Sequence, residues 1–237
     1  MPMLLPAVLV ASHLIQVSAT VCPPSHTEVR VSQDVKAPRI DDTKTNEQLK
    51  AMNLADVLPG DLKFAETTGI TAASISVDSE IRTKSVGPET GPVCISPSVI
   101  TIKLSVAPTI YVDASHGTCR RSVAMEHELG HVAIDRALIE RYVPIFRARV
   151  GAMADAIGNV RAPSYDDLAK ARERIEDKIN AMLSVTYDSM AAERVAAHQQ
   201  HDSPDEYRRV GMACPNIEVN QPDTAPHPRE KPAGGGY

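Results

Sequence analysis

Tryptophan is absent from this chain, and phenylalanine occurs only at Phe64 and Phe146. Large aromatic side chains supply much of the buried area of ordinary protein interiors, so the core here must be built from smaller aliphatic side chains. The chain is still long enough for one domain with a real interior, since about 215 residues would remain after processing of the amino terminus. A core of this kind benefits from covalent cross-links.

A strong positive charge is also missing. The formal net charge is −5, and acidic and basic residues are mixed along the chain. Proteins that bind nucleic acids usually carry a basic face that neutralises the phosphates of the backbone. We therefore expect no nucleic-acid partner.

An apolar run lies at the amino terminus, over residues 4–11. It is shorter than the roughly 20 residues that a membrane span requires. The small side chains of residues 17–19 fit the cleavage site of a secretory signal peptide, although no lysine or arginine precedes the apolar run. We interpret residues 1–19 as a signal peptide. The prediction is a secreted or periplasmic protein without stable membrane insertion after cleavage.

Cysteine is scarce, and the four cysteines are Cys22, Cys94, Cys119 and Cys214. No two of them form a CxxC pair, so a zinc site built from cysteines is not expected. In an exported protein, an even number of cysteines indicates disulfide bonds. We predict two disulfides that support the aliphatic core, and every possible pairing remains open.

The first half of the mature chain has the pattern of strands. The segment 45–48, Thr-Asn-Glu-Gln, fits a capping box at the start of a short helix, and Pro-Gly-Asp at 59–61 fits a turn. Elsewhere apolar and polar residues alternate, which predicts strands. The alternating segments are residues 28–31, 74–78, 100–106 and 109–113.

The second half has the pattern of helices. One helix is predicted from about 120 to 142, where Pro144 ends or kinks it, and a second stretch covers 145–157. A long helix is predicted from about 165 to 200. Strands followed by helices indicate an α+β fold, in which a small antiparallel or mixed sheet precedes a motif-bearing helix and a long C-terminal helix.

The chain divides into three parts on this interpretation. Residues 1–19 are the signal peptide, and residues 20–215 form one domain. Residues 216–237 are rich in proline and contain a run of glycines, a composition that cannot bury enough apolar surface to fold. We predict that this tail is disordered.

The most informative segment is residues 127–131, His-Glu-Leu-Gly-His, within the first predicted helix. Residues i and i+4 of a helix share one face, so His127 and His131 can bind one metal ion at about 2.0–2.1 Å, the length of a zinc–nitrogen bond. Glu128 would point past the ion towards any water bound there, where a general base must lie. Glu126 is the one other charged residue nearby, which suits a buried helix.

This motif and its largely uncharged flanks resemble those of zincins, the HExxH class of zinc metallopeptidases. The architecture is similar to that of small secreted zinc-protease-like proteins of Gram-negative bacteria. The resemblance implies a Zn²⁺ cofactor bound by His127 and His131, with Glu128 as general base. It also implies an edge strand that lines the cleft and pairs with an extended substrate. The HxxGxxH continuation of metzincins is missing, since Ile134 and Ala137 stand at two of its positions.

A third metal ligand must come from elsewhere in the chain. A catalytic zinc usually has three protein ligands and leaves the fourth position to water. Helical periodicity puts Glu193 in the middle of the apolar stripe that contains Ile175 and Ile179, where a carboxylate needs a partner. We therefore predict Glu193 as the third ligand, as in the glutamate subclass of zincins.

The prediction for Glu193 has alternatives. Ala197 stands where the glutamate subclass has an aspartate, and a buried salt bridge with an arginine would equally explain a carboxylate on this face. Asp135 lies too far from His127 along the helix to complete the site, but it could orient a histidine. The next candidates for the ligand are His198, His201 and Asp202.

These observations predict a secreted zinc-dependent peptidase that acts on a peptide or protein substrate, with its oligomeric state left open. Glu128 would deprotonate a metal-activated water and then pass the proton to the leaving amine. The alternative is a secreted binding or envelope-structural module whose zinc site is closed by a fourth protein ligand or is inactive. Candidates for stabilising the oxyanion are Tyr111, Tyr165, Tyr187, Tyr207 and His116.

Overall fold

The computed structural model of the protein describes residues 21–53 and 68–214. The predicted signal peptide, the predicted turn at 59–61 and the predicted tail at 216–237 lie outside the described residues. Strands and helices alternate irregularly along the described part. In chain order they are β1 (Glu28–Val35), β2 (Arg39–Asp41), α1 (Asn46–Asn53), β3 (Gly69–Ala72), β4 (Ile75–Val86), β5 (Val93–Val106), β6 (Thr109–Val112), α2 (Thr118–Ile157), β7 (Val160–Ala162), α3 (Leu168–His201) and α4 (Pro204–Met212).

The strands form two small sheets of mixed direction. In the first sheet β5 lies between β1, which is parallel to it, and β4, which is antiparallel, while the short β7 pairs with the start of β5. Every second residue from Ile100 to Val106 is buried, so one face of β5 packs into the core. The strand predicted over 100–106 is confirmed, but it begins earlier, at Val93.

The second sheet contains β2, β6 and β3 in that order. β6 runs parallel to β2 and antiparallel to β3. Among the described strands, β3 therefore pairs on one side only and forms an edge. Because successive side chains of a strand point to opposite faces, Gly69 and Thr71 share a face of β3. That face lies against α2, where both residues approach Glu128.

The helix that carries the motif, α2, is longer than predicted. It continues through Pro144 to Ile157, whereas the sequence predicted two separate stretches. Proline removes one backbone hydrogen bond from a helix, but Tyr142 and Phe146 on either side of it are buried, and their packing stabilises the helix across this point. Gly158 ends α2 as predicted, with a φ of 53° that glycine adopts readily.

The core has two parts, and α2 crosses both. Its C-terminal half packs between the first sheet and α3, around Ile139, Phe146 and Ile175. Its N-terminal half packs on the second sheet, where Val132 and Ile110 belong to a smaller apolar cluster. Small mixed sheets with long helices agree with the predicted α+β class. The motif lies on the part of α2 between the second sheet and the end of α3.

Two disulfides cross-link the described part of the chain, as predicted. Cys22 is bonded to Cys94, and Cys119 is bonded to Cys214. The second bond joins the first turn of α2 to the residues that follow α4. It therefore fixes the C-terminal end of the described chain beside the helix that carries the motif. No helix in residues 21–53 or 68–214 is long and apolar enough to cross a membrane.

The short helices show how local sequence sets helix ends. α1 begins with the predicted capping box, in which the backbone N–H of Thr45 donates to the side chain of Gln48 and the N–H of Gln48 donates to Thr45 Oγ1. α4 was not predicted, since the last helix expected from the sequence ended at about residue 200. Instead Pro204 is the first residue of α4, and Ser203 caps it by accepting from the N–H of Glu206.

Candidate metal centre

His127 and His131 lie one helical turn apart on α2, as the spacing predicted. Each is only 7% exposed. Their ring centroids are 5.0 Å apart and their ring planes are nearly perpendicular, at 89°. Both rings emerge from the face of α2 that meets the end of α3. Two buried imidazoles on one face are a common basis for metal binding.

A third histidine reaches the pair from the last turn of α3. The ring of His201 stacks on that of His127, with centroids 4.6 Å apart, and meets His131 edge-on at 4.7 Å. Nitrogen atoms of all three histidines lie within 4.8 Å of one another, so the group could hold a metal ion. On the sequence alone, His201 ranks only among the further candidates for the third ligand, after Glu193.

Gly130 makes room for His201. A Cβ atom at this position would lie 2.4 Å from both Cε1 and Nε2 of His201, far inside contact distance. Nε2 of His201 also lies 2.9 Å from the backbone carbonyl of His127, which accepts a hydrogen bond from it. The missing side chain therefore lets an imidazole lie directly on the backbone of the motif helix.

Glu128 lies between α2 and the edge strand β3, and it is 5% exposed. The Thr71 hydroxyl donates to Glu128 Oε2 at 2.8 Å. A Cβ atom at Gly69 would be 2.9 Å from Cγ and Oε1 of Glu128, so the strand also needs a glycine to accommodate this carboxylate. Burial raises the pKa of Glu128 above its ordinary value, against the opposing effect of the neighbouring histidines. The carboxylate is thus oriented by the strand and shielded from bulk water.

Asp202, the residue after α3, brings a carboxylate to the histidine pair. Its Oδ1 lies 3.2 Å from Nε2 of His127 and 3.1 Å from Nε2 of His131. Oδ1 is buried, yet neither contact has the geometry of a hydrogen bond. Burial by itself would raise the pKa of Asp202, but the two imidazoles outweigh this effect and hold that pKa well below its ordinary range.

α4 covers the other side of His127. Glu206 Oε1 lies 3.3 Å from Nδ1 of His127, and the hydrogen bonds from Arg209 help to lower the pKa of Glu206 to about 2. The ring of Tyr207 is 5.9 Å from that of His127, while burial and the nearby Asp202 raise the pKa of the Tyr207 hydroxyl. This helix therefore places an ionised carboxylate and a protonated phenol beside the site.

A chain of hydrogen bonds fixes the orientation of His131 through its Nδ1 atom. Nδ1 of His131 lies 2.8 Å from Nδ1 of His198, and Nε2 of His198 lies 2.9 Å from Oδ1 of Asp135. Asp135 is 1% exposed and also accepts two bonds from Arg194, at 2.6 and 2.9 Å. Arg194 in turn donates to the carbonyl of Ala73, just after β3. Asp135 thus orients a histidine, the role that the sequence left open for it.

The structure does not bring Glu193 to the histidines, so the expectation that it is the third ligand is not met. Its carboxylate pairs with Arg141 and accepts a hydrogen bond from the hydroxyl of Tyr142 at 2.8 Å. Tyr142 lies eleven residues after His131, or about 16 Å further along the helix axis. Glu193 does contact α2, but at a point too far along the helix axis from the histidines. Its side chain is also 48% exposed. The alternative considered for Glu193 was a buried salt bridge with an arginine such as Arg121 or Arg136; its partner is indeed an arginine, but it is Arg141 and the pair is exposed.

Gly130→Ala tests whether the site depends on the close approach of His201. The added methyl group must displace the His201 ring, and we expect zinc affinity to fall about tenfold, as when an outer partner of a metal ligand is lost. Gly151→Ala on the same helix is the matched control, because no atom lies within 4 Å of its Cβ position. That variant should gain up to about 1 kcal/mol of unfolding free energy and keep its zinc affinity. Zinc titration and urea unfolding provide the measurements, and equal zinc affinities for the two variants would contradict the expectation.

Comparison of the chain with protein-family models, with characterised proteins and with solved structures gives no match. The functional assignment must therefore come from the residues themselves. Three histidines that could hold a metal ion lie together, Asp202 lies beside two of them, and the buried Glu128 of the same helix is bonded to Thr71 of β3. Imidazole and carboxylate groups of this kind are able to bind a metal ion.

Proposed function

We propose that this protein is an exported zinc-dependent peptidase with Glu128 as its general base. The observation that carries the proposal is the position of Glu128. It lies on the motif helix between His127 and His131, and its side chain is buried against the edge strand β3. A purely structural metal site has no need of a second, uncoordinated carboxylate beside its ligands. A hydrolytic site needs one, because a base must take the proton from the attacking water.

Each residue of the proposed site has a separate task. A bound Zn²⁺ would supply Lewis acidity, polarising the scissile carbonyl and making water acidic enough to be deprotonated near neutral pH. Glu128 takes that proton through its free Oε1, while Thr71 holds Oε2 in place. Glu128 then transfers the proton to the leaving amine. Tyr207, whose ring lies beside His127, is the candidate donor to the oxyanion.

The edge strand supports a peptide as the substrate. β3 pairs only with β6 among the described strands, so its other side can accept an extended backbone as an additional strand. Gly69 and Thr71 of the same strand contact Glu128. A peptide that paired with β3 would therefore pass next to the base. This geometry favours polypeptides over small esters or amides, which cannot use backbone pairing.

The nature of the ligands supports zinc, and the disulfides support export. Imidazole together with carboxylate suits Zn²⁺, whereas Mg²⁺ and Ca²⁺ prefer sites made of oxygen atoms. The two disulfides, Cys22–Cys94 and Cys119–Cys214, fit an oxidising compartment such as the periplasm or the cell exterior.

One observation favours a different class of function. His127, His131, His201 and Asp202 are four protein groups around one point. If all four bound the ion, no position would remain for water, and the site would be structural. The protein would then be a secreted binding or envelope-structural module.

Metal removal tests the proposal. Chelation should abolish cleavage of an unfolded protein such as reduced casein, and addition of about one equivalent of Zn²⁺ should restore it. Mg²⁺ at the same concentration is the control and should restore nothing, since it requires oxygen ligands. Cleavage that survives complete metal removal would contradict the proposal. Tight zinc binding without any cleavage would favour the structural alternative.

A further inference from the structure

We propose that Asp202, and not His201, is the third protein ligand, so that the metal is bound by two histidines and one aspartate. The inference rests on the proposed metal site and deepens it, because it decides whether a coordination position stays open. Three ligands leave the fourth position of a tetrahedral ion to water, whereas four would close it.

The distances around Asp202 are those of atoms that share one ion. Oδ1 lies 3.2 Å from Nε2 of His127 and 3.1 Å from Nε2 of His131. Ligand atoms bound at about 2.0–2.1 Å in tetrahedral geometry are separated by about 3.3 Å. The distances from the carboxylate oxygen to each of the two imidazole nitrogens therefore match two edges of such a site.

The lack of a hydrogen bond at Asp202 points to the same conclusion. Oδ1 is buried, and it is one of the few buried polar atoms in the described part of the chain without a hydrogen-bond partner. A buried carboxylate oxygen without a partner is costly. The two imidazole nitrogens nearest to Oδ1 lie at 3.2 and 3.1 Å from it. A cation bound by this oxygen and the two imidazole nitrogens would remove this cost.

His201 has a different set of contacts. Its Nε2 is already engaged by the carbonyl of His127 at 2.9 Å. Its ring is stacked on that of His127 with only 13° between the planes. The in-plane lone pairs of two stacked imidazoles run side by side rather than towards one point, whereas the rings of His127 and His131 are perpendicular. His201 therefore positions His127 by stacking and hydrogen bonding.

The backbone on both sides of Asp202 is restrained, which keeps its carboxylate beside the two histidines. Its backbone N–H donates to the carbonyl of His198 at 2.8 Å, which fixes it at the end of α3. The next residue, Ser203, caps α4, and the disulfide to Cys214 ties the far end of α4 to α2. The carboxylate is thus restrained from both sides, and little chain entropy remains to be lost on metal binding.

Zinc affinities of single-site variants test the assignment. In a competition titration with a chromogenic chelator, Asp202→Ala should lose at least about a hundredfold in affinity, whereas His201→Gln should lose no more than about tenfold. Asp205→Ala is the matched control, since that side chain is 86% exposed three residues away, and its affinity should equal that of the wild type. Asp202→Asn, which keeps the shape of the side chain, guards against misfolding of the alanine variant and should also lose affinity.

The possible outcomes separate the two proposals. Wild-type affinity in both Asp202 variants, with a hundredfold loss in His201→Gln, would overturn the assignment of Asp202 and leave the peptidase proposal standing. A loss of zinc affinity of about a hundredfold or more in both the Asp202 and the His201 variants would indicate four protein ligands. The proposal that a coordination position stays open for water would then be wrong. A wild-type protein that binds no Zn²⁺ would overturn the metal site itself, and the ligand assignment with it.

Discussion

Glu128→Gln is expected to lower kcat/KM for cleavage of an unfolded protein by about a hundredfold to ten-thousandfold, the usual contribution of a general base. Glutamine has the same shape and can still accept the hydrogen bond from Thr71, but it cannot take up a proton. The histidines are unchanged, so the bound zinc should remain at about one equivalent per chain. Metal analysis and steady-state kinetics on the same preparation would separate loss of catalysis from loss of metal.

Glu126→Gln is the matched control for this experiment. Glu126 lies two residues away on the same helix, its side chain is 71% exposed, and its ion pair with Arg209 is long, at 3.7 Å. The substitution removes the same charge from the same region, so a general electrostatic effect would appear in both variants. We expect Glu126→Gln to cleave at the wild-type rate. A Glu128→Gln enzyme that kept wild-type activity would show that another group acts as the base.

Asp135→Ala is expected to have the largest effect on stability. Asp135 is 1% exposed and binds both Arg194 and His198. Removal of one member of a buried ion pair leaves the other charge uncompensated and lowers the free energy of unfolding by about 3–5 kcal/mol. His198 would also lose the group that orients it towards His131, so zinc affinity should fall about tenfold to a hundredfold. Urea unfolding of the metal-free protein and a zinc titration would measure the two effects separately.

Glu193→Ala provides the comparison. Glu193 is also a carboxylate paired with an arginine between α2 and α3, but its side chain is 48% exposed. Exposed ion pairs contribute less than about 1 kcal/mol, so only a small loss of stability is expected, with no change in zinc affinity. Loss of zinc affinity in Glu193→Ala, together with unchanged zinc affinity in Asp135→Ala, would contradict both expectations. Glu193 would then support the metal site, and Asp135 would not.

The sequence predicted those features that depend on neighbouring residues. Alternation and helical periodicity gave the strands before the helices, the extent of α3 and the positions of His127 and His131 on one face of α2. The capping box at Thr45 was predicted because its two hydrogen bonds involve only residues three apart in the sequence. Continuity through Pro144 was missed, since the buried side chains that stabilise α2 there pack against distant segments.

The group that completes the candidate metal site could not be identified from the sequence, because it depends on contacts between residues far apart in the chain. Periodicity put Glu193 in the middle of the buried stripe of α3, but its side chain is 48% exposed and contacts α2 at Arg141 and Tyr142. Periodicity also gives only the angle around a helix axis, and not the position along the axis at which two helices meet. The long helix was predicted to end at about residue 200, so His201 and Asp202 lay beyond its last turn, where ordered ligands are not expected. That end is ordered by Ser203, which starts α4, and by Cys214 beyond it. Pairing of the cysteines was needed to see this, and the sequence left the pairing open.

The Cys119–Cys214 disulfide also affects how the metal site is assembled. It closes a loop of 95 residues that contains both halves of the site, the motif on α2 and Asp202 after α3. Closing such a loop raises the effective concentration of one half around the other, even before the chain is folded. In a reducing compartment the two halves would meet at the far lower concentration set by an open chain. For the exported peptidase proposed above, disulfide formation would therefore favour assembly of the metal site, and the site would stay incomplete in the reducing compartment where the chain is made.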